Sequence, residues 1–536
     1  MDDACDAVIV GAGFSGLYAL QKLRQLGLRT RAIELGDGVG GTWLWNRYPG
    51  ARCDIESIEY SYSFEEIQQE WAWTDSMPGQ LEIEAYLNFV ADRLDLRRDI
   101  QFNTRVTALT FDESAGTWAV ETDRGDRLHA PFIVAATGLL SVPVDPVIPG
   151  MDAFGGVSVL SSRYPREGVD FSGRRVALIG TGSTGVQATP VLARQAEHLY
   201  VLQRSAAYTF PTTNRPFEEG ELEALKAQYP EIRAAQRTAM AGAARTSAFT
   251  VMSQAPMRPA LKSATREEQL RAIDELGVAG ALFWSDVTSD MEASELARRL
   301  YGEAIARIVK NPETAASLVP AYPFGCKRPI IDDGYFETFN RDNVTLVDLR
   351  KGAIQEITPR GIRTAQGLFE VDVIFYATGF DAMTGALTRI DVRGRNGDLL
   401  RDVWTRDGPG SYLGLQVAGF PNLFMVAGPG SPGALANVVS SLELQIDWIA
   451  DCVAHMREGA YRTIEPRPDA QTAWVDHMSA LVEGSVVLHP TCNSWWIGSN
   501  VPGKKRTFMS YAGGIPEYRR QCEEAATAGY AGFNIE

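Results

Sequence analysis

The stretch AVIVGAGFSG, residues 7–16, decides the fold. Four apolar residues predict a buried strand, Gly11-x-Gly13-x-x-Gly16 predicts a tight turn, and LYALQKLRQLG predicts the helix that follows. The first glycine permits the turn, the second lets a pyrophosphate approach the backbone, and the third lets the helix pack on the strand. The next strand, TRAIEL, carries Glu34 where a carboxylate would accept hydrogen bonds from ribose hydroxyls. This unit therefore predicts an FAD site.

The stretch RRVALIGTGSTG, residues 174–185, repeats the same design. Its second strand, LYVLQR, ends on Arg204, 19 residues after the third glycine, against 18 residues for Glu34 in the first unit. Arginine pairs with a 2′-phosphate that a carboxylate would repel, so the second unit predicts an NADP site. A chain with both sites is expected to be a flavin-dependent oxidoreductase. The predicted NADP-binding residues here are Gly180, Gly182, Ser183, Gly185, Arg204 and Ser205.

The composition of the chain indicates which partners it can bind and in which compartment it is expected. The 536 residues carry a formal net charge of −16, which argues against a nucleic-acid or anionic-membrane partner, because either requires a basic face. No signal-like segment opens the chain, and the apolar runs are too short to span a bilayer, so we expect a cytoplasmic protein. The histidines show no metal-ligand spacing, and the scattered cysteines indicate reduced thiols without disulfides: residues 5, 53, 326, 452, 492 and 522.

Two strands that end in Ala-Thr-Gly help to place the domain boundaries. FIVAATGLLS and VIFYATGFD lie on either side of the second unit and indicate crossings between an FAD and an NADP domain. Between them, apolar residues at three- and four-residue intervals predict a helical insertion. The predicted fold class is α/β, with two Rossmann-like dinucleotide-binding domains. The predicted divisions are 1–140 (FAD, first part), 141–213 (NADP, first part), 214–325 (helical insertion), 326–380 (NADP, second part) and 381–536 (FAD, second part).

The stretch GGTWLWNRYPGARCDIES, residues 40–57, points to one family. It meets the signature [Ala/Gly]-Gly-x-Trp-x4-[Phe/Tyr]-Pro-[Gly/Met]-x3-Asp at every position. The sequence therefore resembles the type I Baeyer–Villiger monooxygenases, and the resemblance runs on through CKRP (326–329), ATGFD (377–381) and NSWWIGSNVPGKKR (493–506). The signature residues are Gly40, Gly41, Trp43, Tyr48, Pro49, Gly50 and Asp54.

The resemblance implies an activity and two catalytic residues. NADPH would reduce FAD, O2 would form a C4a-peroxyflavin, and one oxygen would be inserted beside a ketone carbonyl to give an ester or lactone. Arg328 matches the family's catalytic arginine, which stabilises negative charge on oxygen, and Asp54 matches the aspartate that positions it. A permanently charged guanidinium suits this task. On the residues alone, a structural salt bridge between domains is the alternative interpretation of this pair.

Further site residues follow from the same resemblance. Lys327 would reach the NADP 2′-phosphate alongside Arg204, and Trp495 matches a tryptophan on a mobile loop that contacts the nicotinamide cofactor. Thr42 and Trp43 would line the flavin. The loop GPGSPGALAN, residues 428–437, would line the substrate pocket. The other predicted residues are Gly41 and Val106 for cofactor binding and Ala434 and Leu435 for the substrate pocket.

The second signature of the family, Phe-x-Gly-x3-His-x3-Trp-[Pro/Asp], is imperfect in the stretch FGGVSVLSSRYP. Leu160 stands where histidine is expected and Tyr164 stands where tryptophan is expected. Tyrosine keeps an aromatic plate, whereas leucine removes two nitrogens and a titratable group. In the family this histidine is associated with domain coupling, so we expect its loss to affect NADP(H) handling more than oxygen transfer.

Two other functions stay open from the sequence. One is a flavin monooxygenase that oxygenates sulfur or nitrogen, and the other is an oxidase-like flavoprotein that binds both cofactors without oxygenating. A disulfide reductase is disfavoured because the chain has no CxxC. We expect a ketone and O2 as partners, no nucleic acid or membrane, and a monomer or weak homo-oligomer.

Overall fold

Two five-stranded parallel sheets organise the chain, as seen in a computed structural model that describes residues 5–245 and 258–536. The first sheet contains the opening strand, Ala7–Val10, at its centre. Its strand order is Leu423–Met425, Phe132–Ala135, Ala7–Val10, Thr30–Ile33 and Ile100–Gln101, and every neighbouring pair is parallel. Leu423–Met425, which follows residue 381 in the chain, thus joins the sheet that contains the N-terminal strand.

The second sheet is built on the second glycine-rich unit. Its order is Val344–Asp348, His198–Gln203, Arg175–Ile179, Val373–Tyr376 and Val157–Leu160, again parallel throughout. The strands Ala7–Val10 and Val373–Tyr376 are buried at every position and apolar, because helices cover both faces of a parallel sheet. These two sheets confirm the predicted α/β class with parallel sheets.

The helices fill the remaining layers. In the described part of the predicted insertion they are Glu221–Lys226, Tyr229–Thr238, Arg266–Leu276, Met291–Ile308 and Pro312–Ser317; residues 246–257 of that prediction lie outside the described residues. The other helices are Phe14–Gln25, Thr42–Trp45, Glu65–Glu70, Gln80–Arg93, Ser183–Gln195, Tyr335–Thr338, Gly385–Thr388, Leu400–Asp407, Val438–Glu458, Pro468–Leu481 and Ile515–Thr527. None of these described helices has the length and apolar character that a membrane crossing requires.

Smaller sheets complete the fold. Val106–Asp112, Thr117–Thr122 and Arg127–Ala130 form antiparallel pairs, and Asp391–Arg393 adds to them in parallel. Ile354–Thr358, Gly361–Thr364 and Gly367–Glu370 form an antiparallel meander. Two-stranded pairs join Thr209–Pro211 to Ile330–Asp332 and Ile464–Pro466 to Phe533–Ile535.

The two Ala-Thr-Gly segments lie side by side where the chain passes between the sheets. The backbone amide of Val144 donates to Gly379 at 2.9 Å, and the Thr378 hydroxyl donates to the Val144 carbonyl at 2.7 Å. The amide of Met383 donates to the Leu139 carbonyl at 2.9 Å. These hydrogen bonds tie the two crossings together.

Candidate active site

The first glycine turn has the shape that a dinucleotide requires. Gly11 has φ +109°, and a Cβ on Gly16 would lie 2.0 Å from the Gly11 carbonyl oxygen, so neither position admits a side chain. A Cβ on Gly13 would lie 3.2 Å from the Cα of Gly41. The helix Phe14–Gln25 starts directly after this turn and has no side-chain cap, so its first N–H groups suit a phosphate. These residues fit the FAD pyrophosphate.

Glu34 lies at the end of the neighbouring strand, as predicted, and the structure adds two partners. Its carboxylate accepts from the amide of Ala12 at 2.7 Å and from the amide of Gly36 at 2.6 Å. Burial raises the pKa of Glu34, and these two hydrogen bonds act in the opposite direction. Each carboxylate oxygen has a second lone pair for a ribose hydroxyl, so the observed geometry is compatible with the predicted role.

The second glycine turn leaves open space at its centre. Gly180 has φ +110°, and a Cβ on Gly185 would lie 2.0 Å from the Gly180 carbonyl oxygen. A Cβ on Gly182 would meet no atom within 4 Å, which leaves the backbone approachable. Ser183 then begins an uncapped helix, and Arg204 and Ser205 are exposed beyond the strand His198–Gln203. The turn and its basic partner fit NADP.

The family signature joins the two nucleotide units. The Tyr48 hydroxyl donates to Gln187 Oε1 at 2.9 Å, and Gln187 Nε2 donates to the Arg52 carbonyl at 3.0 Å. A Cβ on Gly50 would lie 2.4 Å from the Gln187 carbonyl oxygen, so the helix Ser183–Gln195 packs directly on this segment. The segment that leads to Asp54 is thereby packed on the helix that follows the second turn.

Arg328 and Asp54, which are 274 residues apart in sequence, form a two-point ion pair. Arg328 Nε donates to Asp54 Oδ2 at 2.8 Å, and Nη2 donates to Oδ1 at 2.7 Å. Arg328 Nη1 also donates to the Ala434 carbonyl oxygen at 3.2 Å. The side chains are 20% and 25% exposed, so solvent screens the pair only in part. Three predicted site residues thus meet at one point.

An aromatic pair lies close to this ion pair. The indole of Trp43 donates to the Tyr60 hydroxyl at 3.1 Å, and the two rings meet edge to face at 5.9 Å. Burial raises the pKa of Tyr60 well above its usual range, with the charges of Asp54 and Arg328 among the smaller influences. Tyr60 therefore stays neutral. The sequence prediction missed Tyr60, because no signature extends beyond Asp54.

Lys327 is half-buried and lies over an aromatic ring. Its Nζ is 4.5 Å from the ring centroid of Tyr322, a cation–π distance. Burial, and after it the positive charge of Arg204, lower the pKa of Lys327 to about 8. The structure therefore places Lys327 in the electrostatic neighbourhood of Arg204, which is the pairing that the sequence predicts.

The segment that carries Trp495 is fixed at its far end to the second crossing. Trp495 is half-buried and contacts Trp496 edge to face at 6.1 Å. Lys504 forms an ion pair with Asp381 at 2.8 Å and donates to the Ala382 carbonyl at 2.9 Å. Asn500 Nδ2 donates to the Phe380 carbonyl at 2.9 Å. This segment thus lies against the interdomain crossing.

The expectation that all the cysteines are reduced thiols is wrong for two of them. Cys326 and Cys492 form a disulfide with a Cα–Cα distance of 5.5 Å. They are 166 residues apart, so neither their spacing nor their local sequence indicates that the fold brings them together. The other four are free thiols: Cys5, Cys53, Cys452 and Cys522.

The two altered signature positions lie in and after the edge strand of the second sheet. Leu160 ends the strand Val157–Leu160, pairs in register with Tyr376, and packs among apolar side chains. The Tyr164 hydroxyl accepts from the Val169 amide at 3.0 Å, and its ring contacts Phe375. Leu160 thus contributes to apolar packing, and Tyr164 contributes an aromatic ring whose hydroxyl is hydrogen-bonded.

The remaining predicted residues have varied settings. Val106 is buried and packs in the same cluster as the first sheet's Val10 and Ile33. Thr42 is exposed at the start of its short helix. Ala434 is buried and Leu435 half-buried in the 3-10 turn Gly433–Leu435.

Comparisons with known proteins agree with this geometry. A family model described as pyridine nucleotide-disulphide oxidoreductase matches residues 5–252. The acetone monooxygenase (methyl acetate-forming) of a Gordonia species is 40% identical over 99% of this chain and 99% of its own length. A Baeyer–Villiger monooxygenase of Pseudooceanicola batsensis is 40% identical, with coverages of 98% and 95%. A solved structure of an oxidized steroid monooxygenase bound to NADP is 43% identical, with a TM-score of 0.91 and 99% of both chains covered.

Identity of this extent over nearly the whole length confirms the resemblance stated above. The two glycine turns with their opposite charge partners match the two cofactors of the family, and Asp54 and Arg328, the predicted catalytic residues, form an ion pair. The chain belongs to the Baeyer–Villiger monooxygenases.

Proposed function

We propose that this chain uses NADPH, O2 and FAD to insert one oxygen atom next to the carbonyl of a small ketone, which gives an ester or a lactone. The observation that carries the proposal is the guanidinium of Arg328, which Asp54 binds through two hydrogen bonds. When bound, the flavin supplies the activation of O2 and the nicotinamide supplies the hydride.

Arg328 would provide a fixed positive charge where negative charge develops on oxygen. A guanidinium stays protonated at every working pH, so its charge does not depend on a neighbouring acid. Asp54 keeps the guanidinium plane in one orientation, which removes the cost of reorganising it during the reaction. Substrate oxygen would approach the guanidinium itself, whose Nη1 donates to the Ala434 carbonyl in this structure.

The cofactors would be held by the residues of the two turns. Gly11, Gly13 and Gly16 would bind the FAD pyrophosphate, while Glu34 would bind its ribose. On the second turn, Lys327 and Arg204 would bind the NADP 2′-phosphate. Gly41, Thr42, Trp43, Val106 and Trp495 complete the proposed cofactor contacts. The divisions at 140, 213, 325 and 380 stay predictions, as do the cytoplasmic location and the weakly associating state.

The substrate would lie against the loop 428–437. Ser431 and Ala434 in this loop are buried, and the Ser431 hydroxyl has no hydrogen-bond partner among the described residues. The loop contacts Arg328 through the Ala434 carbonyl oxygen, so a ketone bound against the loop would lie beside the guanidinium.

A panel of ketones tests the reaction. The purified FAD-loaded protein should consume NADPH in proportion to a product that is one oxygen heavier than the ketone. Sulfides and tertiary amines should be run in parallel, because exclusive oxygenation of sulfur or nitrogen would replace ketone oxygenation as the function. NADPH consumption that yields only hydrogen peroxide with every substrate would contradict the proposal and support an oxidase-like flavoprotein.

The lowered pKa of Lys327 predicts how NADPH affinity depends on pH. Lys327 is charged below about pH 8 and becomes neutral above it, and only the charged form attracts the 2′-phosphate. The Kd for NADP⁺ should therefore be nearly flat up to about pH 7, be about doubled near pH 8, where half of Lys327 is neutral, and rise by up to about tenfold per unit above that. Isothermal titration calorimetry across this range measures the dependence.

Two controls accompany the pH titration. Lys327→Met should bind NADP⁺ weakly and lose the rise above pH 8, whereas Lys310→Met, which changes an exposed lysine, should leave the profile unchanged. A Kd that rises equally with pH in Lys327→Met would show that another group titrates.

A further inference from the structure

The disulfide between Cys326 and Cys492 joins two segments of the proposed NADP site. Cys326 directly precedes Lys327 and Arg328, and Cys492 lies three residues before Trp495. Both cysteines are fully buried. The crosslink thus connects the residues proposed to bind the 2′-phosphate with the segment proposed to contact the nicotinamide.

The segment on the Cys492 side has local anchors of its own. The Ser494 hydroxyl accepts from the Trp496 amide at 3.2 Å and caps the turn Trp495–Ile497. Arg506 Nη1 donates to the Cys492 carbonyl at 3.1 Å. These contacts preserve the internal shape of the segment if the crosslink opens, so the crosslink governs where the near end of the segment lies, while Lys504 and Asn500 hold its far end.

The segment on the Cys326 side is held toward the flavin turn. Arg328 binds Asp54 through two nitrogens, and Lys327 lies over the ring of Tyr322. The Tyr322 carbonyl accepts from the buried Tyr208 hydroxyl at 3.1 Å. This side is therefore held by its own contacts, and the covalent link joins the near end of the Trp495 segment to it, whereas Lys504 and Asn500 anchor the far end.

We propose that Cys326 and Cys492 are positioning residues of the NADP(H) site: their crosslink holds the Trp495 segment against Lys327 and Arg328. The inference rests on the proposed function in that it takes this place to be the NADP(H) site. With the crosslink open, the segment must be ordered again at each binding event, which weakens binding. The ion pair Asp54–Arg328 does not include either sulfur, so the turnover rate at saturating NADPH is retained.

Opening and closing the crosslink are balanced two-electron steps. Hydrogen peroxide closes it: one thiolate attacks the peroxide, the O–O bond breaks, and water and a sulfenic acid form. The second thiol then displaces hydroxide from that sulfur, which forms the S–S bond and a second water. A trialkylphosphine opens it: phosphorus attacks one sulfur, the S–S bond breaks, and the other sulfur leaves as a thiolate. Water then hydrolyses the phosphorus–sulfur adduct, which gives two thiols and a phosphine oxide.

Substitution tests the proposal without any reductant. Cys326→Ser, Cys492→Ser and the double variant should each raise the Kd for NADP⁺ and the KM for NADPH by about tenfold, equivalent to about 1.4 kcal/mol. The kcat at saturating NADPH should change by less than about twofold, and FAD content should match the parent. The three variants should share one effect, because either substitution removes the same bond. Cys452→Ser, which changes a buried free thiol in the helix Val438–Glu458, is the matched control and should leave Kd unchanged.

Reduction of the parent protein provides the second arm. Phosphine treatment should raise the Kd for NADP⁺ by the same factor, reoxidation should restore it, and the double variant should not respond. Additive effects of the two single substitutions, an unchanged Kd in all three, or thiol counting that finds six free cysteines in the untreated protein would each overturn the proposal. NADP⁺ binding needs no ketone, so a failed ketone assay with the predicted Kd changes would count against the proposed function alone.

Discussion

Replacement of Arg328 by alanine is expected to reduce the rate of ketone oxygenation by about 10³-fold or more, while FAD stays bound. The guanidinium of Arg328 is the cation that we assign to the oxygen chemistry. It donates hydrogen bonds to the Asp54 carboxylate and to the Ala434 carbonyl oxygen. Alanine removes that charge and leaves Asp54 without its partner, so negative charge near the flavin becomes less favourable still.

The measurement is ester or lactone formation at saturating NADPH, with FAD content and NADP⁺ affinity recorded for the same samples. Arg328→Lys should recover little, because an ammonium cannot bind the two carboxylate oxygens side by side. Arg52→Ala is the matched control. Arg52 lies two residues before Asp54, forms an ion pair with Asp75 at 3.2 Å and has no proposed role in the reaction. Product formation by Arg328→Ala at the parental rate would refute the assigned role.

Replacement of Asp54 by alanine is expected to lower kcat by about 10²-fold, a smaller loss than that of Arg328. The variant keeps the guanidinium charge but loses two hydrogen bonds of 2.7 and 2.8 Å that orient it. Loss of a charge-assisted pair of this kind costs about 2–3 kcal/mol, which corresponds to about two orders of magnitude in rate. Asp54→Asn, which keeps one acceptor oxygen, should fall between the parent and alanine.

The double variant separates positioning from direct action. If Asp54 acts through Arg328, Asp54→Ala combined with Arg328→Ala should be no slower than Arg328→Ala alone. A further loss of about 10²-fold in the double variant would instead show that Asp54 contributes independently of the arginine. A purely structural salt bridge would lower the thermal midpoint in both single variants and leave kcat of the folded fraction unchanged.

Local patterns predicted the parts of this protein that depend on neighbouring residues. The turn at Gly11–Gly16 requires glycine because a Cβ at Gly16 would lie 2.0 Å from the Gly11 carbonyl oxygen. Such a steric requirement appears in the sequence as a motif. The opposite charges at Glu34 and Arg204 are readable in the same way. The parallel sheets followed from these units, and the family resemblance supplied Asp54 and Arg328.

Contacts between distant segments could not be predicted. The Ala434 carbonyl that accepts from Arg328 is a backbone group, which every residue has, so no side-chain pattern marks it. The pairing of Cys326 with Cys492 depends on how 166 residues fold between them. Tyr60, which accepts a hydrogen bond from Trp43, lies beyond the end of the signature. Each of these contacts is set by the tertiary arrangement of the two sheets.

Oxygen insertion itself is tested most directly with isotopically labelled gas. The FAD-loaded protein, NADPH and a ketone that it accepts should be incubated under ¹⁸O2, and the product should be analysed by mass spectrometry. We predict an ester or lactone that carries one ¹⁸O atom at the ring or bridging position, with one product formed per NADPH consumed. An unlabelled product, or NADPH oxidation that releases all of the ¹⁸O as peroxide and leaves the ketone intact, would contradict it.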